Sequence, residues 1–251
     1  QVAHLKDRFR CVTVDLPGFG PDDRGVEKWG YTLDEVVKRL ERTVEKEGNG
    51  KPIILVAHDW GCFYSLKFEA KRPELVRKMV TVDVGGAKHP GVIGTLLVIT
   101  YQFWLAAAFL LGWPIGNVIA RFFAGLFAAP SGARMARAST CYPYYQTLKL
   151  ILSGREKIKP MYTQCPLMFV YGTAGLKKVL TYRSHRSEQV RDGFNGYQCP
   201  FDETFHAPKW AENVSKKDGC RVHPMTESSH WVMRDQSDEF NRKVDEFVTD
   251  T

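Results

Sequence analysis

The sequence predicts an α/β fold in which a mostly parallel sheet has helices on both faces and carries an inserted helical lid. Two observations lead to this prediction: strand and helix patterns alternate along the first third of the chain, and a long uncharged stretch then interrupts them. A chain of 251 residues can bury the core of one such domain. We expect residues 1–88 to form the first part of the core, 89–160 the lid, and 161–251 the second part of the core.

Each core element has its own signal in the sequence. The apolar run at 9–15, followed by a turn-rich loop, predicts a first strand. Thr32 is a candidate N-cap for a helix that ends at Gly48. The four apolar residues at 53–56 predict a strand buried on both faces. The remaining elements are predicted as helices at 62–71 and 237–248, and as strands at 78–83, 166–171 and 220–224. The polar stretch 177–215 predicts an irregular surface insertion.

Composition and cysteine spacing restrict the class of protein. The formal charge of +7 arises from 35 basic and 28 acidic residues without a dense basic run, which does not indicate nucleic-acid binding. The six cysteines are far apart and contain no CxxC pair, so the sequence indicates neither a zinc site nor a disulfide framework. We therefore expect no metal and no cofactor, and a reducing, cytoplasmic compartment.

The stretch 91–120 contains no charged residue, and it exceeds the length of about 18 to 20 apolar residues that can span a membrane. Polar side chains interrupt it, however, and the sequence Gly-Trp-Pro at 112–114 breaks it. We predict two lid helices packed over the edge of the sheet. A lid that dips into a membrane is the alternative, which would give peripheral membrane contact. A single crossing is disfavoured because it would separate the two halves of the core.

The strand at 53–56 leads into Ala57-His58-Asp59-Trp60-Gly61. Small residues on either side of an acid at this spacing are typical of a nucleophile elbow, where a sharp strand-to-helix turn holds the central side chain out. Here that side chain is the Asp59 carboxylate. The alternative is that Asp59 only caps the following helix.

His230 is the histidine whose sequence context best suits a general base. It follows the last predicted strand, lies beside Ser228 and Ser229, and precedes the terminal helix. An acidic elbow followed by a histidine near the end of the chain has the order of a nucleophile and its base in α/β hydrolases.

These residues carry a resemblance that extends over nearly the whole chain. The glycine-rich loop at 14–20, the elbow at 58–61, and His230-Trp231 before the terminal helix resemble the epoxide hydrolase branch of the α/β-hydrolase fold family. The elbow with Asp is the specific part, because the glycine-rich loop occurs in many members of the family.

The resemblance implies a mechanism for a lipophilic substrate. Asp59 would open an epoxide and form an alkyl ester, and His230 would activate the water that hydrolyses this ester. The backbone N–H of Trp60 would form half of an oxyanion hole. Lid tyrosines would protonate the ring oxygen, and the candidates in this chain are Tyr142, Tyr144 and Tyr145. The expected partners are a small lipophilic substrate and water.

The sequence departs from the family pattern in two places. The family's His-Gly-x-Pro loop would lie upstream of residue 9, so the chain is expected to lack N-terminal strands of the fold. The loop after the strand at 166–171 has no carboxylate where the family usually places the acid that orients the histidine. Asp83 is the first alternative because it follows the strand next to the elbow strand. Weaker candidates lie in the insertion: Asp192, Asp202 and Glu203.

Two other functions stay open from the sequence alone. A haloalkane dehalogenase would share the aspartate nucleophile and the following tryptophan. It would also need two N–H donors for the halide, and only Trp60 is evident. The other alternative is a noncatalytic, membrane-associated module with a hydrolase-like fold.

Overall fold

The computed structural model describes residues 1–20, 26–86, 91–127, 129, 133–154, 159–173 and 205–250. Within them, four parallel strands form one sheet in the order β1-β2-β3-β4. The strands are β1 (Ile53–His58), β2 (Val76–Val82), β3 (Leu167–Gly172) and β4 (Arg221–Met225). All four lie where the sequence predicts strands. The strands β1 and β3 are apolar runs, whereas β4 is short and contains Arg221 and His223.

The described helices are α1 (Val2–Leu5), α2 (Leu33–Gly48), α3 (Trp60–Lys71), α4 (Gly91–Leu111), α5 (Ile115–Leu126), α6 (Tyr142–Leu152), α7 (Pro208–Ser215), α8 (Val232–Asp235) and α9 (Ser237–Thr249). The predicted N-cap of α2 is confirmed. The Thr32 hydroxyl accepts a hydrogen bond from the Glu35 N–H at 3.3 Å, and the Glu35 carboxylate accepts one from the Thr32 N–H at 2.7 Å. This reciprocal pair satisfies donors that would otherwise lack partners at the start of the helix.

The sheet is packed on both faces, since successive side chains of a strand point to opposite sides. Phe169 of β3 packs with Phe68 and Trp210 on one face. Its neighbour Val170 packs on the other face with Phe240 of α9. All of these side chains are nearly or fully buried. The sheet is therefore held rigidly, which positions the loops that follow the strands.

The predicted strand at 9–15 is wrong. The segment has no regular secondary structure, and Val12 and Val14 are 46% and 48% exposed. A strand needs a hydrogen-bonded neighbour, and a cleft of about 2060 Å³ is lined both by this segment and by β1. The apolar pattern of residues 9–15 therefore does not form a strand, and no strand pairs with this segment in the described part of the chain.

Two further expectations are corrected by the structure. The strand at 53–56 is not buried on both faces, because β1 lies at the edge of the described sheet and Val56 is 44% exposed. The stretch 177–215 is not irregular throughout, since its last part forms α7. This helix starts with Pro208 in its first turn and buries Trp210 against the sheet. The rest of that stretch, up to 204, lies outside the described residues.

The lid helices α4, α5 and α6 lie between β2 and β3 in the chain, as the sequence predicts. The Gly-Trp-Pro sequence at 112–114 separates α4 from α5. None of the helices in the described part of the chain has the length and apolar character needed to cross a membrane. The expected cytoplasmic location stays a prediction.

Candidate active site

Asp59 stands at the turn between β1 and α3. Its backbone has φ 51° and ψ −121°, a left-handed conformation that is strained for a residue with a side chain. Asp59 occupies the N-cap position of α3, yet its side chain makes no capping hydrogen bond, and 39% of that side chain is exposed. The geometry is that of a nucleophile elbow, and the helix-capping alternative is not what the structure shows.

Asp83 and His230 form a short hydrogen bond on the same edge of the sheet. His230 Nδ1 lies 2.6 Å from Asp83 Oδ2, so the ring N–H donates to the carboxylate. The other oxygen of Asp83 accepts from the Gly172 N–H at 3.2 Å. Asp83 is only 7% exposed. Because Nδ1 carries the proton of this bond, Nε2 is the nitrogen left to act as a base.

Nε2 of His230 faces the elbow. It lies 3.9 Å from Asp59 Oδ1. This separation is longer than a direct hydrogen bond, so the two groups can both contact a molecule between them. The order of the strands brings the three residues together: Asp59 follows β1, Asp83 follows β2, and His230 follows β4. In a parallel sheet all of these ends lie at the carboxyl edge.

His58 supports the loop of His230. Its Nε2 donates a hydrogen bond to the His230 carbonyl oxygen at 3.0 Å, and the two imidazole rings lie 4.5 Å apart. Burial, together with the nearby charge of His230, lowers the pKa of His58 to about 4. His58 is therefore neutral at neutral pH and donates a hydrogen bond to the backbone of the loop that carries His230.

The loop before His230 has two further supports. The Ser229 hydroxyl donates to Asp235 at 2.5 Å and accepts from the Trp231 N–H at 3.2 Å. Gly172, at the end of β3, lies directly beneath this loop: a Cβ atom there would come within 2.3 Å of the Ser228 and Ser229 carbonyl oxygens. The loop therefore depends on close packing against β3.

The three predicted lid tyrosines lie in different surroundings. The ring of Tyr144 packs edge-on against Trp60 at 5.0 Å. Burial and then the charge of Asp59 raise the pKa of Tyr144 well above its ordinary value. Tyr142 is fully buried against Gly30 and Tyr31, and Tyr145 stacks on Phe109 and Trp29. Of the three, Tyr144 is the one whose ring lies against the residue that follows Asp59.

Tyr101 of α4 was not predicted from the sequence. Its ring lies 6.1 Å from the ring of Tyr144 and 6.3 Å from that of Phe205, which in turn lies 5.2 Å from His230. Burial and then the Asp59 charge raise the pKa of Tyr101. The position of Tyr101 in the sequence could have indicated its role. Burying a phenol hydroxyl within an uncharged apolar run costs free energy unless the hydroxyl faces other polar groups.

Trp60 is the first residue of α3, at the end of the helix where backbone N–H groups point away from the helical hydrogen bonds. This is consistent with the predicted oxyanion donor. The alternative acids, Asp192, Asp202 and Glu203, lie outside the described residues. The part of the chain that the structure describes contains no group of three or more His, Cys, Asp or Glu that could hold a metal ion.

A comparison with family models decides the family. The model described as "Alpha/beta hydrolase family" matches residues 2–243. The chain belongs to the alpha/beta hydrolase family. The predicted α/β-hydrolase family, fold class and hydrolase enzyme class are confirmed. Partial matches to epoxide hydrolases show similarity to that branch of the family.

Curated relatives of this alpha/beta hydrolase carry different names. A cis-3-alkyl-4-alkyloxetan-2-one decarboxylase from Shewanella oneidensis is 23% identical over all of this chain and 77% of its own length. Epoxide hydrolase 1 of Caenorhabditis elegans is 31% identical over 34% of this chain, and epoxide hydrolase 3 of Mus musculus is 34% identical over 33% of it. These matches span only 20% and 22% of the two epoxide hydrolases.

Solved structures show the same fold at low identity. An epoxide hydrolase from Bacillus megaterium is 18% identical, with a TM-score of 0.68 over 99% of this chain and 87% of its own. A variant of potato epoxide hydrolase is 16% identical, with a TM-score of 0.58 over 93% of this chain and 82% of its own. The likeness extends to the lid as well as the sheet, since nearly all of this hydrolase is covered.

Proposed function

We propose that this hydrolase opens epoxides of lipophilic substrates through an ester of Asp59. The observation that carries the proposal is the 3.9 Å separation of Asp59 Oδ1 and His230 Nε2, with Nδ1 of the same ring bonded to Asp83 at 2.6 Å. A carboxylate held out on an elbow can attack a saturated ring carbon. Because Nδ1 of His230 is hydrogen-bonded to Asp83, Nε2 can then deprotonate a water molecule beside the resulting ester.

The first step forms a bond between an Asp59 oxygen and a ring carbon while the carbon–oxygen bond of the epoxide breaks. The departing oxygen needs a proton, and the Tyr144 phenol is the proposed donor. Its raised pKa keeps it protonated at neutral pH, and Tyr101 is a second phenol within the same ring cluster. The resulting tyrosinate is reprotonated from solvent before the next turnover.

In the second step, His230 Nε2 takes a proton from water, and the hydroxide attacks the carboxyl carbon of the Asp59 ester. The backbone N–H of Trp60 supports the negative charge of the tetrahedral intermediate. Asp83 stabilises the imidazolium that forms. The tetrahedral intermediate then expels the diol oxygen, which takes the proton of His230. The Asp59 carboxyl group loses its proton to solvent, which balances the proton that the tyrosinate took up, and the carboxylate is regenerated.

The lipophilic substrate class follows from the walls of the site. The ring of Phe205 lies 5.2 Å from that of His230, the ring of Tyr101 lies 6.1 Å from that of Tyr144, and Phe127 packs on Tyr101 at 5.5 Å. An apolar wall with a few polar groups selects an apolar substrate with one polar reacting end. The same character extends to the outside of the lid, and we propose peripheral contact of the lid with a lipid surface.

The relative that matches the whole chain favours a second candidate, the opening of a dialkyl oxetan-2-one. Asp59 would attack the saturated, alkyl-bearing ring carbon that is bonded to the ring oxygen. Cleavage of that carbon–oxygen bond would free a carboxylate. Loss of CO₂ would then form the carbon–carbon double bond and expel Asp59. This route yields an alkene and CO₂ and uses no water, whereas epoxide opening yields a diol.

Single-turnover hydrolysis in oxygen-18 water tests the covalent step. With Asp59 as nucleophile, the first diol carries unlabelled oxygen from the enzyme, and Asp59→Ala abolishes turnover. Label in the first diol would contradict attack by Asp59. Product analysis with an epoxide, an oxetan-2-one and a haloalkane then separates the three activities by diol, alkene or halide release.

A further inference from the structure

The outer surface of the lid exposes large apolar side chains on one continuous face. Ile99, Phe103 and Leu110 of α4 recur at helical spacing and are each more than half exposed. Val118 and Phe122 of α5 are 67% and 64% exposed. We call this surface the outer lid face and define it by Ile99, Phe103, Leu110, Trp113, Val118 and Phe122. Apolar faces of this kind on soluble proteins mark contact sites.

Close packing joins the two helices into one surface. Gly116 lies against α4, where a Cβ atom would come 2.0 Å from the Ala108 carbonyl oxygen. Trp113 stands in the connection between the helices and is 81% exposed. Tryptophan has an apolar body with one N–H donor, and it is enriched where lipid headgroups meet the hydrocarbon of a membrane.

The core of the protein does not require this apolar surface. The opposite side of α4 already packs inward, with Leu105 and Ala108 buried and Tyr101 directed to the aromatic cluster of the site. The outward side chains could be polar without loss of those contacts. Their apolar character therefore needs an explanation outside the fold.

Charge indicates which surface the lid contacts. Between residues 91 and 154 the sequence contains no aspartate or glutamate, and its four charged residues are all basic: Arg121, Arg134, Arg137 and Lys149. All four are exposed. An apolar face on a segment whose charged residues are all basic complements a bilayer whose headgroups are anionic.

We propose that the outer lid face docks on the surface of an anionic lipid bilayer, with Trp113 and Phe122 inserted at the headgroup level. Arg121, which directly precedes Phe122 on α5, then lies near the lipid phosphates. Because the inner side of α4 lines the site, a lipid-dissolved substrate reaches Asp59 without passing through water. This last consequence rests on the proposed function, whereas the docking itself does not.

Co-sedimentation with vesicles tests the docking. The wild-type protein should bind vesicles of phosphatidylcholine with phosphatidylglycerol more tightly than vesicles of phosphatidylcholine alone, and added salt should reduce the difference. The triple variant Phe103→Ser, Trp113→Ser, Phe122→Ser should lose at least about tenfold in partitioning, because it removes three large apolar groups from the contact. Equal sedimentation of both proteins, or no wild-type binding to anionic vesicles, would overturn the proposal.

Two controls make the result specific. Trp29→Ser changes another half-exposed tryptophan that lies outside α4 and α5, and it should bind vesicles as the wild type does. Sedimentation velocity without lipid tests the other occupant, a second copy of the chain. A dimer that dissociates on Trp113→Ser would show that the face is a protein interface and would overturn docking on lipid.

Measurements of turnover distinguish a failure of lipid docking from a failure of the proposed reaction. Asp59→Ala should bind vesicles normally, so a failure of the proposed reaction leaves the docking result intact. On a long-chain epoxide in anionic vesicles the triple variant should lose about tenfold in rate, in proportion to its lost partitioning, while a short soluble epoxide is hydrolysed at the wild-type rate. Equal rates of both proteins on the vesicle substrate would contradict delivery through the lid.

Discussion

Asp83 Oδ2 accepts the hydrogen bond of His230 Nδ1 at 2.6 Å, although the two residues are 147 positions apart in the chain. The second oxygen of Asp83 is held by the Gly172 N–H. The carboxylate therefore sets both the tautomer and the orientation of the imidazole.

Asp83→Asn should separate the two proposed steps. The amide keeps the size of the side chain but accepts the histidine N–H less strongly, so we expect breakdown of the ester to slow by roughly 10²- to 10⁴-fold. Ester formation should change little, because it does not use the base. Rapid-quench kinetics should show a burst of bound substrate, and near-normal turnover would remove Asp83 from this role.

Tyr144→Phe should slow ring opening, since the proton for the departing oxygen is lost. We expect a decrease on the order of a hundredfold in the rate of ester formation, with Tyr101 supplying the remaining protonation. Tyr145→Phe, which changes a ring stacked on Phe109, is the matched control and should keep the wild-type rate. If both variants behave alike, the donor lies elsewhere in the lid.

The buried histidines should make the fold sensitive to acid. Burial lowers the pKa of His206 to about 4, and its side chain is only 2% exposed. The unfolded chain, with an ordinary histidine pKa near 6.5, then binds more protons than the folded chain between pH 6.5 and 4. Stability therefore falls as the pH falls through this window, by up to about 3 kcal/mol for one such group.

Urea unfolding at several pH values checks this slope. His206→Phe fills the same space between Phe169 and Tyr171 without a titrating group, so its free energy of unfolding should depend less on pH than that of the wild type. If the free energy of unfolding depends on pH equally in the wild type and in His206→Phe, His206 is not the source of the acid sensitivity.

Gly172→Ala should disturb the catalytic loop without touching a catalytic side chain. Its Cβ atom would meet the Ser228 and Ser229 carbonyl oxygens at 2.3 Å, so the loop must move. We expect a loss of about 1–3 kcal/mol in stability and a fall in kcat. Gly48→Ala, where the nearest atom is a side-chain carbon at 3.4 Å, is the control. Thermal melts and kinetics of both variants provide the measurement.

The catalytic edge was accessible to sequence reasoning because parallel strands place their carboxyl ends together. Asp59 and Asp83 each follow a recognisable apolar run, and His230 follows the last predicted strand, so their convergence could be expected before their distances were known. The same reasoning failed at residues 9–15. Whether an apolar run becomes a strand depends on a neighbour, which local pattern does not describe.

The lid tyrosines were harder to assign for a different reason. Tyr142, Tyr144 and Tyr145 are close in sequence, but each step along a helix turns the side chain by about 100°. Which of them faces Trp60 depends on how α6 is rotated against the core. Tyr101 belongs to a separate helix, and only packing brings it to Tyr144.

A hydrogen bond joins the lid to the catalytic loop: the Trp231 indole N–H donates to the Phe127 carbonyl oxygen at 2.8 Å. Trp231 directly follows His230 in the chain. Any opening motion that lifts Phe127 from the core breaks this bond and releases the residue next to the base. The position of the lid at Phe127 and the position of His230, the proposed base, are thus linked through one hydrogen bond.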